Sequence, residues 1–395
     1  MNIDNPKHTF VIAEAGSNWK IGSLNDDISQ AKQLILTAAN AGADAIKFQT
    51  FKSNTVYAQD AGQIDYLSNK NPNSSINELF DNLSMPYEMI PELSSFCNKH
   101  KIIFMSTAFS VEDAKHLDPY VKIHKVASYE INHIRLIEFL ARTKKPILIS
   151  TGASSYNEID FAIKTIKENG NDKIALLQCT AKYPAPIDSL NLNVISTLKS
   201  KYGLPVGFSD HSLDPIVGPL LSVGFGATIV EKHFTMDKSL SGPDHMFALD
   251  PDELKLMIDS IRNADAAKGN SIKQVLNVEL ELQKFATRSI QATKNISKGD
   301  ILFEGENFDI LRPGNRIRGL DAKFLQVLYM KPLSSEIKNE IEKSDKVVLV
   351  ECNVTGQLGR LIREKTGIKI KNRILKYNGR PFYCDELNGY LKKVI

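Results

Sequence analysis

The feature that most constrains this chain is the eightfold recurrence of a short apolar run of strand length. The runs fall at residues 10–16 (FVIAEAG), 44–50, 102–109, 122–128, 146–151, 174–180, 206–211 and 228–235. Between several of them lie segments with helical spacing of apolar residues, such as 27–40, 157–168 and 190–202, closed by Gly or Pro. Strands that are apolar almost throughout suit a parallel sheet covered on both faces. Eight strand-then-helix units in about 265 residues match the size of a (β/α)8 barrel, an α/β fold; a doubly wound open sheet is the alternative.

Residues 251–263 read as the last barrel helix, followed by a polar connecting stretch to about residue 284. From Arg288 the texture changes to short β-like runs with KG and EG turn signals, which predicts a small β-rich domain. A third texture begins near Tyr329, where a helix-like run leads into the strand KVVLVE and then another helix-like run, GQLGRLIREK. The expected organisation is a barrel domain over 1–270, a small β domain over 285–328 and an α/β tail over 329–395.

Composition narrows the partners. The 49 basic and 46 acidic residues nearly cancel, and no basic block or aromatic-basic stripe offers a nucleic-acid surface. Cys97, Cys179, Cys352 and Cys384 lie far apart without CxxC spacing, so neither a disulfide framework nor a zinc knuckle is expected, and a reducing cytoplasm fits. No leader-like start and no apolar run of about 18 residues occurs, so no membrane partner is expected.

Chemistry in such a barrel collects at the carboxyl ends of the strands. There the sequence places Glu14; Lys47 and Gln49; Ser106 and Thr107; Lys125 and Ser128; Ser150 and Thr151; Cys179 and Thr180; Ser209, Asp210 and His211; and Glu231, Lys232 and His233. Any single Ser or Thr there is explained by a strand emerging into solvent, but polar ends on every strand are not. Two lysines with several hydroxyls suit a small phosphorylated acid, although either lysine alone reads equally as a surface cation. His211 and His233 end successive strands, so their imidazoles can converge on one divalent ion with a carboxylate or waters completing the shell. The following SGPDH loop adds Asp244 and His245, as substrate contacts or as turn caps.

The segments IAEAGSN, GADAIKFQT, KVAS, ISTGA, CTAKYPAP, GFSDHS, EKHFT and GPDH resemble, in order and spacing, the motif series of the sialic acid synthase family over roughly residues 10–265. RSIQATKNISKGDIL and RPGN resemble that family's carboxyl-terminal antifreeze-like domain, a small β-clip. The resemblance implies condensation of phosphoenolpyruvate with an N-acylated mannosamine-type sugar to a nine-carbon 2-keto-3-deoxy acid and phosphate. It implies that Lys47, Thr107, Lys125, Ser128, Ser150 and Ser209 hold phosphoenolpyruvate, and that His211 and His233 bind Mn2+ or Mg2+. It further implies that Glu14 orients or deprotonates the attacking water, and that Gln49, Tyr183, Glu231 and Asp244 contact sugar or metal-bound water. In the domain-swapped homodimer that it implies, Arg312 reaches from one chain's small domain to the sugar's acyl group in the neighbouring site.

Three departures qualify the likeness. Trp19 follows Asn18 where most relatives carry His. Ala181 stands two residues after Cys179, where N-acetylmannosamine users tend to carry Asn, which brings a diacetamido sugar of the legionaminic or pseudaminic type into competition. From about Tyr329 the tail resembles the end of the α subunit of 2-oxoacid:ferredoxin oxidoreductases, without cluster cysteines; a strand-helix packing module is the reading favoured. The competing functions are a different phosphoenolpyruvate-dependent, aldose-extending synthase and a non-enzymatic assembly module with a degenerate barrel.

Overall fold

The computed structural model describes residues 4–59, 61–62, 75–319, 336–352, 355–376, 382 and 384–394. Two compact units divide the chain, residues 1–271 and 272–395.

In the first unit the eight apolar runs form β1 (Phe10–Gly16), β2 (Ala45–Thr50), β3 (Ile103–Ala108), β4 (His124–Val126), β5 (Ile147–Ser150), β6 (Ile174–Cys179), β7 (Val206–Asp210) and β8 (Ile229–His233). Each pairs in parallel with its neighbour, and β8 returns to β1 from Phe10↔Ile229 to Glu14↔His233, closing a barrel and excluding the open sheet. Strand ends differ from the sequence reading by one or two residues; Ser128, for instance, starts a 3-10 turn just after β4.

Helices follow where the periodicity put them, and their ends have local causes. Leu24–Ala41 starts on a Ser23 capping box and stops at Gly42, whose φ of 91° an L side chain would resist. Pro251–Ala267 starts on an Asp250 capping box with Pro in its first turn, where the missing N–H is no loss. This last helix is tied to the barrel floor: Arg262 Nη1 donates to Thr9 O at 2.6 Å, and Thr9 N donates to Asp265 Oδ2 at 2.7 Å.

The side-chain alternation of the strands sorts residues between two compartments. Outward residues such as Val11, Ile46 and Phe48 pack under the helices in the larger core. Inward residues Phe10, Ile12, Ala45, Met105, Ile123, Leu148, Ala175, Leu177 and Ile229 fill the lower barrel. Gly207 belongs to this inner packing for want of space: a Cβ there would lie 2.5 Å from Ile229 O and from Leu177 Cδ2. Higher up, the same inward positions turn polar, from Ile12 to Glu14 and from Ala45 to Lys47 to Gln49.

The second unit has an antiparallel pair, β9 (Ser289–Ala292) with β10 (Phe308–Leu311), and a parallel pair, β11 (Val348–Glu351) with β12 (Asn372–Leu375). The helix Gln357–Thr366 links β11 to β12, and Ile337, Leu349, Ile362 and Ile370 form a small core. Glu351 accepts from Leu358 N at 3.0 Å and Gly359 N at 2.9 Å, so the chain's own carboxylate occupies the donors at that helix's N-terminus. The expected division at 328/329 lies outside the described residues. The connecting stretch expected to be polar instead carries a short helix, Leu280–Ala286, and exposes apolar side chains that include Val278 and Leu282, 87% and 66% accessible.

Candidate active site

At the carboxyl ends of the strands the inward polar residues surround a cavity of about 350 Å³. It is lined by Glu14, Lys47, Gln49, Thr107, Lys125, Ser128, Ser150, Tyr183, Ser209, His211, Glu231 and His233, together with Phe109, Ala127 and Cys179. The first twelve are barrel positions singled out from sequence.

Four buried charges form a chain of alternating sign, Glu14 to Lys47 to Glu231 to Lys125. Lys47 Nζ lies 2.8 Å from Glu14 Oε2 and 3.8 Å from Glu231 Oε2, while Lys125 Nζ lies 3.2 Å from Glu231 Oε1. Glu231 therefore touches both cations and Glu14 only one, and the acidities follow. Burial would raise the Glu231 carboxyl, but Lys125 and Lys47 together overcome it and hold it at about 2. Burial raises Glu14 to about 7, because Lys47 only partly offsets it and the Glu231 charge adds to it. Burial also opposes the charge on Lys47, yet Glu14 and Glu231 outweigh it and hold the ammonium protonated; at Lys125 burial wins and the pKa is lowered. Hydroxyls and an amide flank the chain of charges: Lys47 Nζ donates to Thr107 Oγ1 at 3.0 Å, Gln49 Nε2 to Glu14 Oε1 at 3.0 Å, and Ser209 Oγ to Glu231 Oε1 at 3.0 Å.

Beside these charges stand the imidazoles of His211 and His233, with ring centroids 5.7 Å apart. His211 Nδ1 donates to Thr180 O at 2.8 Å, which leaves Nε2 with a free lone pair. His233 Nδ1 is buried without a hydrogen-bond partner. Burial lowers His211 to about 4 and His233 well below its usual value, so both are neutral at physiological pH. Neutral, oriented nitrogens fit a divalent ion. Among the described residues no cluster of three or more His, Cys, Asp or Glu is arranged to hold one, so water or substrate would complete the shell. Tyr183 packs against His211 at a centroid distance of 4.1 Å, and Phe247 against His233 at 5.2 Å.

Two motif glycines are explained by close approach. Gly16 has φ +52°, and a Cβ there would lie 2.8 Å from Asp244 Oδ2. Asp244 thereby reaches the site's edge, 3.8 Å from His233 Nδ1, with burial raising its carboxyl to about 6. At Gly152 a Cβ would lie 2.9 Å from Ser128 Oγ, 3.0 Å from Cys179 Sγ and 3.1 Å from Ala181 Cβ, so its neighbours leave no room for a side chain there.

Not every strand-end residue points inward. Ser106 faces outward and bonds Thr50 Oγ1 at 2.8 Å, while Asp210 and Lys232 pair with each other at 2.6 Å behind the histidines. Trp19 is 1% accessible and belongs to the outer core, so it contributes packing. Arg312 is an exposed residue of the second unit, directly after β10. Sequence reasoning missed Phe109 and Ala127, each two residues beyond a named inward residue, and also Glu130. Glu130 Oε2 is buried without a hydrogen-bond partner, and burial raises its carboxyl to about 7 against the pull of Lys125. Continuing the period-two alternation past β3 and β4 would have found Phe109 and Ala127, whereas Glu130 ends the 3-10 turn Ser128–Glu130 and falls off that parity.

Comparison with known proteins agrees with this geometry. The NeuB family profile matches residues 34–273. The Bacillus subtilis spore coat polysaccharide biosynthesis protein SpsE is 40% identical over 334 residues, 81% of this chain and 87% of that protein. The N,N'-diacetyllegionaminic acid synthase of Legionella pneumophila is also 40% identical, over 78% of this chain and 86% of its own. The crystal structure of an N-acetylneuraminic acid synthetase from Leptospira borgpetersenii superposes with a TM-score of 0.62 at 32% identity, covering 71% of this chain and 92% of that one. With the family profile spanning most of the barrel and relatives at 40% identity covering about four-fifths of its length, the chain belongs to the NeuB family.

Proposed function

We propose that the chain is a nonulosonic acid synthase that joins phosphoenolpyruvate to an N-acylated mannosamine-type sugar, and that this sugar carries two acylamino groups. The observation that carries the reading is the convergence of Lys47 and Lys125 with Thr107, Ser128, Ser150 and Ser209 in one cavity beside His211 and His233. Carbon three of phosphoenolpyruvate bonds to the sugar's open-chain aldehyde carbon, and water adds at carbon two. The C–O bond to phosphate then breaks, leaving the 2-keto acid and inorganic phosphate.

The two ammonium groups meet the carboxylate and phosphate, and the hydroxyls orient them. Glu14, held at about 7 by burial, is suited to take a proton from the attacking water near neutral pH. His211 and His233 would hold Mn2+ or Mg2+, which as a Lewis acid would polarise the aldehyde and favour attack by several kcal/mol. Gln49, Tyr183, Glu231 and Asp244 are left to face the sugar and its bound water.

Two observations support a diacetamido sugar: the small residue Ala181 stands two residues after Cys179, and a relative of 40% identity is named as an N,N'-diacetyllegionaminic acid synthase. The reading includes a homodimer in which the partner subunit's Arg312 contacts the sugar's acyl group. Its support is the exposed apolar surface of the second unit, where Val278, Leu282 and Phe285 lie open for a second copy to cover.

Phosphate release from phosphoenolpyruvate, measured with a panel of N-acylated amino sugars in the presence of Mn2+, tests this directly. Release should be fastest with a diacetamido hexose. Preference for N-acetylmannosamine would overturn the sugar assignment, and release with phosphorylated aldoses alone would overturn the reaction class.

A further inference from the structure

Behind the cavity, on the outward side of β7 and β8, lies a buried ion pair that does not touch the cavity. Lys232 and Asp210 are each 1% accessible, and Lys232 Nζ donates to Asp210 Oδ2 at 2.6 Å. The same ammonium donates to Ser212 O at 2.7 Å and Ser212 Oγ at 3.3 Å. Asp210 in turn accepts from Ser212 N at 2.8 Å and Ser212 Oγ at 3.1 Å.

The placement of these groups in the chain is what gives them meaning. Asp210 and Ser212 flank His211, and Lys232 immediately precedes His233. Asp210 and Lys232 are also register partners across β7 and β8. One ammonium therefore fixes the backbone on both sides of one imidazole and next to the other. Close packing holds the clamp in place: a Cβ on Gly218 would lie 2.8 Å from Asp210 Oδ2, so the helix Val217–Gly224 can approach only with glycine there.

Stability alone does not account for such a pair. A buried salt bridge is often no more stabilising than apolar residues of the same volume, and its best-attested use is to fix geometry. Between strands that are already hydrogen bonded, the geometry left to fix is that of the loop after β7, where His211 leaves the sheet.

We propose that Lys232, Asp210 and Ser212 are positioning residues that set the spacing of His211 and His233 for a divalent ion. The proposal rests on the reading that these two histidines bind the ion. Partners behind metal ligands typically change affinity by about 10- to 100-fold when removed.

The test is Mn2+ affinity, measured by calorimetric titration of the full-length chain without substrate, so that it does not depend on turnover. His211→Ala is the control for the reading beneath the proposal. The variants are the neutral double substitution Asp210→Asn with Lys232→Met, which leaves no unpaired buried charge, and Ser212→Ala, which removes two hydrogen bonds and no charge. The expected result is circular dichroism like that of the wild type, with Mn2+ binding weakened about tenfold or more in the double variant and several-fold in Ser212→Ala. Should the double variant fail to fold, Ser212→Ala decides alone. Folded variants that bind Mn2+ within twofold of the wild type overturn the positioning role while leaving the histidine site standing. If the wild type binds no Mn2+, or His211→Ala binds it as well as the wild type, the histidine reading fails and the proposal fails with it.

Discussion

Replacing Glu14 by Gln should make the barrel more stable at alkaline pH while crippling its chemistry. Glu14 is buried, shares its single cation with Glu231, and is raised from an ordinary 4.5 to about 7, first by burial and then by the charge of Glu231. Its folded value lies above its unfolded one, so the folded chain keeps the proton between them. The associated stability is fully present below about pH 4.5 and is lost as pH rises through about 7. At 1.36 kcal/mol for each unit between the two values, the loss is about 3 kcal/mol. Glutamine resembles the protonated acid at every pH, so Glu14→Gln should match the wild type near pH 4.5 and exceed it by up to about 3 kcal/mol at pH 8 to 9. The single tryptophan makes the assay specific, because Trp19 lies buried in the core of the first unit. Urea unfolding followed by its fluorescence across that pH range reports on the barrel rather than on the second unit. A stability difference that does not grow with pH would refute the argument that Glu14 is the carboxylate left short of positive charge. Phosphate release by the variant should fall sharply, the usual opposition between stability and a strained functional group.

Because burial keeps both imidazoles neutral, with His211 at about 4, Mn2+ affinity should hold from pH 8 to about 5.5; a decline centred near 6.5 would show that they are not shielded. Lys125→Ala and Lys47→Ala should each weaken phosphoenolpyruvate binding by on the order of 10- to 100-fold with less effect on the sugar, and unchanged affinity in both would place the phosphate site elsewhere. Lys47→Ala should also unfold more readily, since Glu14 would lose its one cation. Gly207→Ala should destabilise the barrel by about 3 kcal/mol or more in urea unfolding, and a loss below about 1 kcal/mol would mean that the inner packing can yield around the added Cβ. Co-refolding Arg312→Ala with His211→Ala should restore up to about a quarter of wild-type activity, because half the dimers are mixed and half of their sites are whole; no recovery in demonstrated mixed dimers would keep Arg312 out of its neighbour's site.

The barrel was legible because its strands are buried on both faces, which writes them as unbroken apolar runs that helical periodicity then separates. The facing of individual residues was less legible. A strand end such as Ser209-Asp210-His211 or Glu231-Lys232-His233 is polar at every position, and only the register of the closed barrel shows that the middle residue of each points outward. Ser106 beside Thr107 posed the same ambiguity and was settled by its bond to Thr50. The stretch after the last barrel helix read as polar because its lysines and glutamates mask apolar residues at helical spacing, and folding leaves those apolar residues exposed. Glu130 escaped notice because it lies beyond the regular strand, at the end of the 3-10 turn Ser128–Glu130, where period-two alternation no longer applies.

The chain of charges also indicates how ligands would enter. Four buried charges are tolerable because each cation has a carboxylate within 2.8 to 3.8 Å. An anionic substrate cannot simply add to such a chain, since its charge would confront the carboxylates of Glu14 and Glu231 at close range in a poorly solvated site. It must instead replace those carboxylates on the lysines and leave them to find other partners. The two carboxylates differ in what they can accept. Glu231, bonded to Ser209 and held at about 2, stays ionised and needs a cation; Glu14, held at about 7, can accept a proton. A divalent ion between His211 and His233 would supply positive charge beside Glu231, while a proton on Glu14 would remove the remaining repulsion. On this argument a divalent ion and phosphoenolpyruvate would favour each other's binding, and Glu14 would have to give up that proton before it could serve as the base.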